Sequence, residues 1–155
     1  MRIMGIDPGT RVVGYGVVEL KGSRLQAVAF GALRVNLKAS YPERLKRIFL
    51  GLSKVLEEFD PDEVAIEQAF YGKSVSSALR MGEGRGVAIA AMAVGEKPIF
   101  EYSPAEVKRS VVGNGRAHKS QVQEMVRMLL GLPEAPQPDD AGDALAVAIC
   151  HCNRR

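Results

Sequence analysis

The chain has 155 residues, 46% of them hydrophobic and 25% charged, with a formal net charge of +3. That length supports one domain, residues 1–155, with a substantial core, and the composition is that of an ordinary globular protein. Its longest apolar run, Val87 to Val94, is far too short to span a bilayer, which excludes a membrane helix. Strand-like sequence from Arg2-Ile3 onward leaves no room for a signal peptide, so a cytoplasmic location with no membrane partner is expected. Only two cysteines occur, Cys150 and Cys152, flanking His151. Residues two apart on a helix point to nearly opposite sides, so these three do not converge on zinc, and free thiols are expected.

In chain order, Arg2 to Asp7 reads as a buried strand, followed by strands from Gly14 to Leu20 and Leu25 to Leu33 around the turn-like Lys21-Gly22-Ser23. A long amphipathic helix starts at Tyr41-Pro42. Its apolar residues Leu45, Ile48, Phe49, Leu52, Val55, Leu56 and Phe59 keep three/four spacing up to Asp60-Pro61. Val64 to Glu67 is a fourth strand. After a Ser- and Gly-containing loop comes a helix whose Gly82, Gly86 and Ala90 recur every four residues. Such a row lets another backbone approach closely, either within the monomer or across a dimer. Pro98 to Tyr102 is a fifth strand. Ser103-Pro104-Ala105-Glu106 then combines an N-cap, a first-turn proline and a capping-box acid. Gly113-Asn114-Gly115 breaks that helix, another runs from about Ser120 to Leu130, and the last from about Asp140 to Cys152.

Three meandering strands followed by alternating helix and strand predict a mixed five-stranded sheet with helices on both faces. This α/β order is that of the ribonuclease H-like fold.

Four acids stand out. Asp7 and Glu67 each end an apolar run, Ile3-Met4-Gly5-Ile6 and Val64-Ala65-Ile66, while Asp140 and Asp143 open the last helix. A carboxylate at the end of a core strand is expensive to desolvate unless something pairs with it, and hard divalent cations do so. Singly, each has a plainer use: Asp7 before Pro8-Gly9 as a turn former, Asp140 and Asp143 as dipole-complementing acids, Asp139 as an N-cap. Glu67 has no such use. Asp140 and Asp143 are three apart and share a helix face, and adjacent strands could join Asp7 to Glu67. Together they read as a metal-dependent phosphodiester site. Lys73, Arg80, Arg85, Lys108, Arg109, Arg116, His118 and Lys119 fall in or near predicted loops, where cations suit a phosphate-rich partner or simply face solvent.

The segments Gly5-Ile6-Asp7-Pro8-Gly9, Ala65-Ile66-Glu67-Gln68, Val107-Lys108 with Val111-Val112-Gly113, Lys119-Ser120-Gln121-Val122-Gln123 and Asp140-Ala141-Gly142-Asp143-Ala144-Leu145-Ala146 resemble the RuvC family of Holliday junction resolvases, in order over essentially the whole chain. The resemblance implies a homodimeric, Mg²⁺-dependent endonuclease that nicks two opposing strands of a four-way junction and acts beside the RuvA–RuvB branch-migration complex. It also implies that Asp7, Glu67, Asp140 and Asp143 bind metal, with Lys108 and Lys119 near the scissile phosphate and Phe70 stacking on a base at the junction centre. Either Asp139 or Asp140 could be the coordinating neighbour.

Elementary chemistry agrees with that reading. Two Mg²⁺ ions about 4 Å apart, with Mn²⁺ able to substitute, would clamp a scissile phosphate. Lys119 would stabilise transition-state charge or anchor a phosphate. Phe70 suits either base stacking or core packing. Asp7-Pro8-Gly9-Thr10 is also similar to the phosphate loop of sugar kinases and actin-like ATPases, but those need two domains around a nucleotide. A P-loop is excluded because the G-x-x-x-x-G-K spacing is missing. A non-catalytic junction-binding protein would have little use for four acids that repel phosphate.

Overall fold

The computed structural model describes residues 1–68 and 74–155. Ten elements follow in order: β1 (Arg2–Asp7), β2 (Val12–Lys21), β3 (Arg24–Arg34), α1 (Tyr41–Phe59), β4 (Glu63–Glu67), α2 (Val75–Val94), β5 (Ile99–Tyr102), α3 (Pro104–Val112), α4 (Lys119–Leu130) and α5 (Asp139–Cys152). The sheet order is β3-β2-β1-β4-β5. β1 and β2 pair antiparallel, as do β2 and β3, whereas β4 runs parallel to both β1 and β5. This is the ribonuclease H-like arrangement that the element order predicts.

Period-two alternation sorts the strand residues between two cores. Met4, Ile6, Val13, Val17, Val64 and Ile66 face α1 and α2, where Ile48, Leu52, Ala88 and Met92 cover them. Ile3, Val18 and Ala65 face the other way, into a core closed by α3, α4 and α5. Each fully buried isoleucine contributes about 1.5–3 kcal/mol through the apolar area it withdraws from water.

The caps fall where the sequence places them. Ser103 and Glu106 exchange hydrogen bonds as a capping box at the start of α3. Gly113 and Gly131 end α3 and α4 in the left-handed conformation, at φ 77° and 63°. α5 is the central helix, buried from Ala141 to Cys152 except at half-buried Asp143. A helix apolar on every side belongs inside. Cys150 and Cys152 are free and buried within it.

Two expectations change. Asp139 is the first residue of α5, with Pro138 in the N-cap position, so Asp139 does not cap the helix through its side chain. Several cations expected in or near loops lie on helices instead: Arg80 and Arg85 on α2, Lys108 and Arg109 on α3, and Lys119 at the first position of α4. Phe70 and Lys73 lie outside the described residues.

Candidate active site

Asp7 and Glu67 are the last residues of neighbouring parallel strands, whose register pairs Ile6 with Ile66. Alternation from Ile6 and Ile66, which face α1 and α2, turns both acids toward α5. Asp7 also lies opposite Gly14 on β2. Gly14 in turn touches the backbone of Asp140: a Cβ built on it would fall 2.0 Å from the Asp140 carbonyl oxygen. The start of α5 is thereby laid over the end of β1. Four acids spread over more than 130 positions of sequence meet at one end of the sheet.

The field of the cluster acts on its two strand acids. Burial pushes the Asp7 carboxyl up to about 8, and the charges of Glu67, Asp143 and Asp140 push in the same direction, opposed by Lys119. Burial likewise raises Glu67 to about 7, with Asp143 adding to the shift and Lys108 and Lys119 opposing it. Asp140, rather than exposed Asp139, is the neighbour whose charge Asp7 feels.

Lys119 contacts this cluster directly. Its Nζ lies 2.8 Å from Asp143 Oδ2 and 3.8 Å from Asp139 Oδ2. Partial burial works against the ammonium, but the hydrogen bond and charge of Asp143, with Asp139 and Asp140, more than offset it and raise its pKa. Beside these groups opens a cavity of about 250 Å³ lined by Glu67, Lys108, Lys119 and Asp143 over an apolar floor that includes Val107, Val122 and Ala146.

The donor set fits hard divalent cations. It is all oxygen, half-buried, and negative enough that the protein brings in a lysine and retains protons. Among the described residues, no three His, Cys, Asp or Glu side chains are gathered closely enough to hold an ion alone. Mg²⁺ does not need such a cage, since it keeps waters and shares substrate phosphate oxygens.

Other expected contacts have partners outside the acid cluster. Arg116 is exposed in the loop before α4, its backbone N–H bonded to Asn114 Oδ1. Arg80 stacks 4.3 Å above the Tyr41 ring and lines a second, open pocket with Thr10, Arg11, Ser76, Ser77 and Met81. Arg85 is ion-paired with Glu101. Two participants are not evident from sequence. Arg11 stands in that second pocket, and Gln123 is a buried amide in contact with Asp143. The signal for Gln123 was a polar residue beside Val122 on the apolar side of α4.

The family model for crossover junction endodeoxyribonuclease RuvC matches residues 3–151. The chain belongs to the RuvC family. It is 52% identical to a crossover junction endodeoxyribonuclease RuvC of Dehalococcoides mccartyi over 155 residues, covering 100% of this chain and 93% of that one. Identity to the Alkaliphilus metalliredigens enzyme of the same name is 47% over 153 residues, 99% and 93% of the two chains. Among solved structures, Thermus thermophilus RuvC in complex with a Holliday junction substrate superposes with a TM-score of 0.93 at 35% identity, over 99% of this chain and 94% of that one.

Proposed function

We propose that this chain is a single-domain, metal-dependent endonuclease that resolves four-way DNA junctions by paired nicks in two opposing strands. The observation that carries the reading is the approach of Asp7, Glu67, Asp140 and Asp143 to one another beside a cavity lined by Glu67, Asp143, Lys108 and Lys119, in a chain that matches RuvC over residues 3–151. Family membership brings a divalent-metal requirement. Our finer reading is two Mg²⁺ per site, held by these four carboxylates, with Mn²⁺ able to substitute. Bound there, the ions would supply Lewis-acid stabilisation of the phosphate and an activated water.

The protein's own groups do the rest. Asp7 and Glu67 would hold the ions as deprotonated, acceptor-only carboxylates. Asp140 and Asp143 complete the set from the first turns of α5. Lys108 and Lys119 place positive charge in the cavity, where it offsets charge developing on the scissile phosphate. Arg116 and Arg80 extend the cationic surface along the backbone path. Phe70 as the base-stacking aromatic and Lys73 as a phosphate contact rest on the family resemblance and the loop's composition.

Paired nicking needs two copies, since one acid cluster addresses one strand at a time. α2 offers a face for a second copy. Gly82, Gly86 and Ala90 are exposed, with nothing among the described residues within 4 Å of either glycine's open side, and Val75, Leu79 and Val94 are exposed beside them. Cooperation with RuvA–RuvB and residence in the cytoplasm, where the chromosome is handled, complete the proposal. No helix among the described residues is long and apolar enough to cross a membrane.

The test is single-turnover cleavage of a four-way junction against a linear duplex of the same sequence. Junction-selective paired nicks with Mg²⁺ or Mn²⁺, none in EDTA, and binding with little cutting in Ca²⁺ are expected, because Ca²⁺ relaxes the short octahedral geometry. Equal cutting of the linear duplex, or nicking in EDTA, overturns it.

A further inference from the structure

Gln123 is 7% exposed, on the side of α4 otherwise given to Val122 and Val126. Burying an amide costs free energy unless its polar atoms are bonded. Its Nε2 donates to Asp143 Oδ1 at 2.9 Å and to the backbone oxygen of Asp139 at 3.2 Å. One side chain therefore spans the first turn of α5 and grips an acid of the cluster. Its Oε1 is buried and has no hydrogen-bond partner among the described residues. That oxygen lies against Gly142, where an added Cβ would fall 1.9 Å from it. The amide is wedged, and the glycine between the two acids is what makes room for it.

The other oxygen of Asp143 is held differently. Lys119, one helical turn earlier on α4, reaches Oδ2 with a side chain that is 54% exposed. Asp143 thus has one oxygen fixed by a neutral, buried group and one paired with a half-exposed, solvent-facing cation.

We propose that Gln123 is a positioning residue for metal binding: by holding Asp143 Oδ1 it fixes the carboxylate plane and leaves Oδ2 as the oxygen offered to a cation. This rests on the metal-dependent reading above. A neutral donor suits the task, because it orients the carboxylate without cancelling the charge that attracts the ion. Outer-sphere partners of ligating carboxylates act in this way.

The experiment compares Gln123→Leu and Gln123→Met with the wild type, since each approximates the glutamine's volume and removes the donor. Mn²⁺ binding to DNA-free protein is read from the paramagnetic resonance of free Mn²⁺, and the Mg²⁺ midpoint from single-turnover nicking. Mn²⁺ binding is expected to weaken about 10- to 100-fold, with the Mg²⁺ midpoint raised in proportion and junction affinity in EDTA within about twofold of wild type. A folded variant of either kind with wild-type Mn²⁺ affinity overturns the proposal, because a merely structural contact would lower only the urea midpoint. Wild-type protein that binds no Mn²⁺, together with normal nicking by Asp143→Asn, would sink the metal reading itself.

Discussion

Gly5 on β1 lies directly beneath Ala144 on α5, so close that a Cβ on the glycine would fall 2.0 Å from the Ala144 carbonyl oxygen. Gly16, its cross-strand partner, lies under the Leu145 side chain, where a Cβ would fall 2.7 Å from Leu145 Cγ. With Gly14 under Asp140, three bare backbone positions form a track on which the central helix rests. At Gly5 and Gly14 the nearest helix atoms are backbone, so the height of α5 above β1 is set by backbone contact. That height determines how far Asp140 and Asp143 stand from Asp7.

Gly5→Ala should therefore destabilise the fold by at least about 1–3 kcal/mol, the usual range for overpacking a core that cannot yield, and should lower activity as the acids part. Urea unfolding followed by circular dichroism measures it. A loss under about 0.5 kcal/mol, ordinary for a surface site, would contradict the contact.

Asp7→Asn, Glu67→Gln, Asp140→Asn and Asp143→Asn should each abolish or severely reduce nicking while junction binding survives. On the proposed assignment each change removes a ligand, and none adds negative charge, so attraction to phosphate should not weaken. Gel-shift affinity and single-turnover cleavage on the same preparations separate the two. A fully active Glu67→Gln would remove Glu67 from the site.

The metal-free protein should lose stability as pH rises from about 5 to about 8. Asp7 holds its proton up to about 8 in the folded chain against 3.8 as its ordinary value, and Glu67 up to about 7 against 4.5. Across that window the folded state binds more protons than the unfolded one, so raising pH favours unfolding, by at most about 1.4 kcal/mol per pH unit for each proton. The slope ends above the folded values. Urea midpoints in EDTA should show the decline, Asp7→Asn should flatten most of it, and Mg²⁺ should restore stability most at the alkaline end. A wild-type midpoint that rises over this range would reverse the sign argued here.

Much of this site is legible in sequence because the acids break patterns that are otherwise strict. Asp7 and Glu67 end strands whose alternation is unambiguous, so both their partners and their face follow from the sheet order. The capping box at Ser103 and Glu106 and the glycines at 113 and 131 similarly mark helix ends by local chemistry alone. The choice between Asp139 and Asp140 is not local. It depends on how α5 is rotated over Gly14, which no neighbouring residue specifies. Gln123 escapes notice for the same reason, since its burial is created by α5 and Gly142 from elsewhere in the chain. α2 defeats periodicity because it is apolar or small on most sides: the glycine that packs inside is Gly84, against Gly9 and Thr10, and the regular row at 82, 86 and 90 faces out.

That outward row gives the last prediction. Gly86 has open space where a side chain would project, so Gly86→Leu meets no obstacle among the described residues. Exchanging a mid-helix glycine for leucine should even favour α2, by several tenths of a kcal/mol. If two copies pack through these small residues, the same substitution overfills the contact between them. The variant should then be as thermally stable as wild type or more so when measured as a monomer, yet show a larger monomer fraction in sedimentation at micromolar concentration. Paired nicking should give way to single, uncoordinated nicks, because each acid cluster would act alone. A Gly86→Leu protein that remains dimeric and cuts both strands together would move the interface to another face of the molecule.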